Sequence, residues 1–230
     1  MVESKINSSL LFYARIAGLL YLFIIVCGIY SEVFIRSELI INGDSSATVA
    51  NIMNSKARFL SAFIADSIML LSDVAIAVLF YILLKPVHKT LALSAAVFRL
   101  VQASILGLNL LYYYATLLLL NGSVYSDAFE SDKINALVML LLEMHSYGYD
   151  LGLVFFAVSS FILGYLVVKA DYFPSVLGYG LMAAAGVYFI GSYTRFLFPE
   201  YLPLVEPLYM VAFVAELSFC LWLLIRGIRG

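Results

Sequence analysis

Apolar residues fall into six long blocks separated by short polar intervals. Over a window of about 19 residues the blocks are Leu11–Ile35, Arg58–Leu84, Thr90–Leu120, Leu137–Val168, Pro174–Phe198 and Leu204–Ile225. The intervals carry turn chemistry: Asn42-Gly43-Asp44, Lys85-Pro86, Asn121-Gly122, Asp171 to Pro174, and Phe198-Pro199-Glu200. A membrane crossing takes about 17–25 apolar residues, and three blocks exceed that range, so these must tilt, bend or project. The pattern predicts an all-α polytopic integral membrane protein, a single domain over residues 1–230 built as a bundle of six transmembrane helices.

Composition agrees. Hydrophobic residues make up 64% of the chain and charged residues 12%, with mean hydropathy +1.02, whereas soluble domains are about 45–50% apolar and about 25% charged. The net charge of −2 gives no basic footprint for nucleic acid. Cys27 and Cys220 lie inside apolar blocks, where they read as core thiols rather than a disulfide or a metal pair. The first block follows Lys5 but is long enough to span, with no small-residue cleavage pattern and no lipobox before Cys27, so it reads as a retained helix.

Charge bias suggests an orientation. Lys5, Lys85, Lys89, Lys169, Arg226 and Arg229 fall on one side. Lys56, Arg58 and Lys133 fall on the other, among Asp44, Asp127, Glu130, Asp132 and Glu200. The positive-inside rule then places the protein in the cell membrane with both termini cytoplasmic.

The polar residues inside the blocks carry the candidate chemistry. A charge at a helix centre costs on the order of 2.5–3.5 kcal/mol on insertion scales, so it needs a partner or a wet cavity. Asp66 and Asp73 lie seven apart on one face of the second helix. Arg99, Gln102, Leu106, Asn109 and Tyr113 fall within about 80° of arc on the third, making a polar stripe along its length. Arg99 paired with Asp73 or Glu216 is expected, either as a strut fixing helix register or as the border of a substrate or ion path. Glu32 and Arg36, four apart, read as an interfacial pair, and Arg195 as a boundary residue that snorkels. Tyr112-Tyr113-Tyr114 reads as part of an aromatic belt.

The densest cluster is Glu143-Met-His-Ser-Tyr-Gly-Tyr-Asp150 in the fourth block. On a continuous helix Glu143, Tyr147 and Asp150 share one face, while His145, Gly148, Tyr149 and Gly152 share the opposite one. His145 and Asp150 therefore converge on one ligand only if the helix breaks near Gly148. No metal site is expected: the other histidine, His88, falls in a loop at the opposite end, and a carboxylate-rich zinc site is unusual. Gly148-x-x-x-Gly152 and the small residues of the fifth block (Gly178, Gly180, Ala183 to Gly186, Gly191) allow helices to approach closely. No threefold-plus-threefold repeat of the transporter type is visible, and six helices without one make a small transporter unless the protein is a homo-oligomer.

Depth counting puts Asp66, Asn109, His145, Tyr147, Tyr149, Asp150 and Arg195 in the outer half, with Asp73, Arg99, Gln102 and Glu216 nearer the middle. An outer-half polar pocket lined by His145, Tyr149, Asn109 and Asp66 follows as an expectation. Three functions fit: binding or transport of a small polar ligand, ion or proton; an intramembrane enzyme using Asp150, His145 or Glu143 as general acid or base with Arg99 or Arg195 holding an anion; and a structural or sensory subunit whose charges only pair. No cofactor is indicated, and the bilayer is the one partner the composition names.

The stretches Ala14-Arg15-Ile16-Ala17-Gly18-Leu19-Leu20-Tyr21-Leu22, Phe98-Arg99-Leu100-Val101-Gln102-Ala103 with Gly107-Leu108-Asn109, His145 through Gly152, and Ala215-Glu216-Leu217-Ser218 with Trp222-Leu223-Leu224 carry a resemblance. On them the chain resembles a prokaryotic membrane family catalogued as a domain of unknown function, number 4386. The resemblance implies a multi-pass prokaryotic membrane protein and brings no activity, substrate or cofactor with it.

Overall fold

The structure is a computed structural model that describes residues 2–122 and 129–228. Asp127 and Arg229 of the charge count lie outside the described residues, as does the side chain of Lys5. Every regular element among the described residues is helical. Helix α1 (Val2–Ile29) continues through a π-helical stretch, Tyr30–Arg36, to a last turn, Ser37–Leu39. Then come α2 (Ser45–Asn54), α3 (Lys56–Asn121), α4 (Ser131–Lys169) and α5 (Ser175–Leu197). Short 3-10 and α turns over 199–208 lead into α6 (Tyr209–Ile225).

Five of these helical stretches are long and apolar enough to cross a membrane. Helix α3 holds two crossings, since its 66 residues would measure about 99 Å if straight, against a hydrocarbon core of about 30 Å. The break falls at His88, whose backbone is extended (φ −159°, ψ 101°) just after Pro86. Proline cannot donate to the carbonyl four residues back, which ends the first arm, 56–87. His88 then caps the second arm, 89–121, by accepting the Leu91 amide on Nδ1 at 3.2 Å. The protein is thus an all-α, polytopic membrane protein with six crossings among the described residues.

Helix α2 has no counterpart among the apolar blocks, because ten residues cannot span. Gly43 takes the left-handed turn (φ +80°) and Asp44 caps the helix by accepting from the Ala47 amide at 2.8 Å. Helix α4 starts six residues before the apolar block, on a polar turn.

By internal contacts the chain forms two compact units. One gathers Met1–Phe23, Leu71–Ser104 and Asp150–Gly230; the other gathers Ile24–Leu70 and Ile105–Tyr149. Lipid supplies no hydrophobic drive between helices, so packing rests on close approach and polar bonds. In the first unit α4 and α5 approach closely at Gly164 and Gly178: a Cβ on Gly178 would lie 2.7 Å from the Val168 backbone nitrogen. Gly18 does the same for α1 and α6, and the Cys220 thiol donates to its carbonyl at 3.3 Å. Tyr172, in the loop between α4 and α5, donates its hydroxyl to the Leu83 carbonyl at 2.7 Å, and burial pushes that hydroxyl up to about 12. In the second unit Ile35, Ile52, Phe59, Leu110, Tyr113 and Val138 form the packed core, with α2 contributing Ile52.

Candidate functional site

Two polar networks occupy the helix interior, one in each unit. In the first unit, the second arm of α3 presents Arg99, which is 1% exposed. Its Nε and Nη2 both reach Asp73 Oδ1 from the first arm, at 2.9 and 2.7 Å. Gln102, one turn on, donates Nε2 to the second oxygen of Asp73 at 3.3 Å. The guanidinium carbon lies 5.6 Å from the Tyr21 ring, 5.8 Å from Phe80 and 4.9 Å from Phe156. A cation in a low-dielectric interior gains from ring faces where water is absent. Of the two expected partners, Asp73 makes the pair. Glu216 on α6 is buried nearby, bonded by the Tyr188 hydroxyl of α5 and within the field of Arg99.

The same unit holds a second pair. Arg195 on α5 meets Asp150 on α4 at 2.9 Å, with Asp150 buried and Arg195 33% exposed. The reading of Arg195 as a snorkelling residue is corrected accordingly: the buried carboxylate on α4 holds its head group across the helix interface. Tyr209 packs over Gly191 beside this pair, where a Cβ would come within 2.8 Å of the tyrosine Cζ.

In the second unit the centre is Arg36, which sequence reasoning placed at an interface. The π-helical stretch carries one extra residue in its turn and buries Ser31, Ile35 and Arg36. Arg36 Nη1 donates to Asp66 Oδ2 and Nε to Glu32 Oε2, each at 2.7 Å. Its guanidinium lies 5.8 Å from the ring of Tyr113. Tyr113 is fully buried, stacks on Phe59 at 3.9 Å, and donates its hydroxyl to the Phe59 carbonyl at 3.1 Å. It is a core residue and not part of a belt, while its neighbours Tyr112 and Tyr114 are each 39% exposed. The pair thus ties the π-helical stretch to the first arm of α3, and Asp66 is engaged by Arg36.

His145 packs against Tyr113, ring centroids 5.2 Å apart. Asn109 donates Nδ2 to the His145 carbonyl at 2.7 Å. The imidazole Nδ1 lies 3.2 Å from Asn109 Nδ2 and 3.3 Å from the Asn109 carbonyl. One tautomer therefore accepts from the amide and the other donates to the carbonyl, so both are held by a single residue. Asn109 packs against Gly148: a Cβ there would come within 2.6 Å of the amide carbon. Gly148→Ala should push Asn109 off His145 and cost about 1–3 kcal/mol, read as a lower melting temperature in detergent. A melting curve equal to wild type would remove Gly148 from this arrangement.

All five residues of the α3 stripe, Arg99, Gln102, Leu106, Asn109 and Tyr113, are buried. The α4 cluster does not converge. The helix is continuous through Gly148, Glu143 is exposed, and Asp150 is engaged by Arg195. Tyr149 is half-buried in the second unit. No group of three or more His, Cys, Asp or Glu suited to a metal occurs among the described residues. A groove of about 510 Å³ opens between α5 and α6, walled by Val176, Gly180, Met210 and Val214; none of the polar candidates lines it. The sequence reading placed Arg36 at an interface and gave Tyr21 and Phe156 no role at the site. The available signal for Arg36 was its place just beyond the end of the first apolar block, on the same helix as Glu32.

Comparison with known proteins places the chain in a family. No solved structure matches the chain. An uncharacterised protein of Archaeoglobus fulgidus is 30% identical over 160 residues, which cover 70% of this chain and 80% of that protein. The model of the family described as Domain of unknown function (DUF4386) matches residues 16–227, a span that includes every polar residue of both networks. The chain belongs to that family.

Proposed function

We propose that this protein binds, or passes across the membrane, a small polar ligand, ion or proton that reaches the polar residues of the second unit. The observation behind this reading is that the ion pairs do not use up the buried polar atoms. Asp66 Oδ1 and Asn109 Oδ1 are fully buried and accept no hydrogen bond. An unsatisfied buried acceptor costs about 1–3 kcal/mol. Charges that served only as struts would gain nothing from keeping such acceptors, whereas a solute with N–H or O–H groups would be met by them. His145 adds a group able to donate or accept beside the same residues.

The positive-inside bias supports an orientation in which both termini are cytoplasmic and this unit opens toward the outside. The test is cysteine accessibility at Asn109→Cys and Tyr149→Cys, each in a Cys27→Ala/Cys220→Ala background. A membrane-impermeant, positively charged methanethiosulfonate added outside intact cells should modify both positions. Protein that is folded yet unreactive from either side would defeat the reading and favour the structural one. Reaction from the cytoplasmic side alone would reverse the orientation.

A further inference from the structure

The buried charges of the first unit do not balance. With Glu216 ionised, Arg99 supplies one positive charge against two negative ones from Asp73 and Glu216, and the Asp150–Arg195 pair is neutral by itself. An uncompensated carboxylate in a membrane interior is costly and calls for a counter-charge. Three buried oxygens lack hydrogen-bond partners around this surplus: Glu216 Oε1, Gln102 Oε1 and the Tyr21 hydroxyl. Arg99 bonds Asp73 and lies 5.6 Å from the Tyr21 ring, which packs edge-on against Phe219, one turn after Glu216 on α6, so these groups adjoin. We infer that Glu216, Gln102 and Tyr21 form a site for a small monovalent cation. The inference rests on the reading that small polar species enter the helix core, and it assigns them a charge and a second set of residues.

The chemistry favours a cation over an anion. Arg99 has N–H groups without oxygen partners, which could suggest an anion site. Yet that guanidinium is enclosed by the faces of Tyr21, Phe80 and Phe156, which stabilise its charge directly. An added anion would bring the cluster to two surplus negative charges, while a monocation brings it to zero. The unpartnered oxygens are a carboxylate, an amide carbonyl and a phenol. These are hard donors suited to Na⁺, K⁺, a proton or an ammonium group. The charged and titratable groups facing Glu216 are Tyr188 from α5, Tyr21 from α1, and Asp73 and Arg99 from the two arms of α3.

The experiment follows the melting temperature of the purified full chain in detergent, at constant ionic strength. N-methyl-D-glucamine chloride is exchanged for sodium, potassium or methylammonium chloride, and a parallel series in N-methyl-D-glucamine varies pH. A saturable rise of several degrees with one of the small cations identifies that ion. Stabilisation by acid with no cation effect identifies the proton. Glu216→Gln should abolish the response, while Glu200→Gln, a carboxylate in the α5–α6 connection, should keep it. If Glu216→Gln fails to fold, Gln102→Leu decides instead, moving the midpoint about tenfold in concentration or by about one pH unit. A wild type flat to every cation and to pH, a response that survives Glu216→Gln, or an unmoved midpoint in Gln102→Leu overturns the site. A flat response beside reactive cysteines at positions 109 and 149 would end this inference and leave the proposed function standing.

Discussion

Replacing Arg99 by leucine should destabilise the protein by about 3–5 kcal/mol, because breaking a buried pair strands the remaining charge. The stranded group is Asp73, which is 2% exposed and would keep only the Gln102 amide, 3.3 Å from its second oxygen. Leucine also leaves the space between Tyr21, Phe80 and Phe156 without the cation that their ring faces enclose. The double variant Arg99→Leu/Asp73→Asn removes both charges and should recover much of the loss, because neutral amides are far cheaper to bury than a lone carboxylate. Arg99→Lys should fall between, since an ammonium cannot offer two N–H groups to one carboxylate edge or stack as a plane on the rings. Melting temperatures in one detergent decide the order. A wild-type curve for Arg99→Leu would show that Asp73 does not depend on it.

The architecture was legible because membrane crossings are written in composition. A run of about 20 apolar residues admits few other structures, as the bilayer demands that every backbone group be satisfied within the helix. The break at Lys85-Pro86 was visible for the same kind of reason, since proline removes a donor wherever it stands. The stripe from Arg99 to Tyr113 was also legible, because 100° per residue fixes which side chains share a face. Partner choice was not. Asp73 and Glu216 were equally eligible for Arg99 until the arms of α3 folded together, and the distance between two helices is not encoded in the period of either. Asp150 and Arg195 were assigned to the same depth but not to each other, because depth counting gives height along the membrane and not azimuth around a bundle.

Arg36 shows where the period itself fails. Read as an α-helix, Glu32 and Arg36 are simply a pair four residues apart, at the end of the first apolar block. The π-helical stretch adds a residue to the turn, shifts the phase of everything after it, and carries the guanidinium inward to Asp66. Arg36→Met should therefore behave as a core change and not as an interfacial one, with a loss of about 3–5 kcal/mol as Asp66 is left alone. Asp66→Asn in the same chain should restore part of it. Glu32→Gln should cost less than about 1 kcal/mol, because Glu32 is 69% exposed and solvent screens its half of the pair. The contrast separates the two roles Arg36 could play. If Glu32→Gln melts as low as Arg36→Met, the stabilising contact is the one along α1, and the cross-helix pair with Asp66 contributes nothing beyond its geometry.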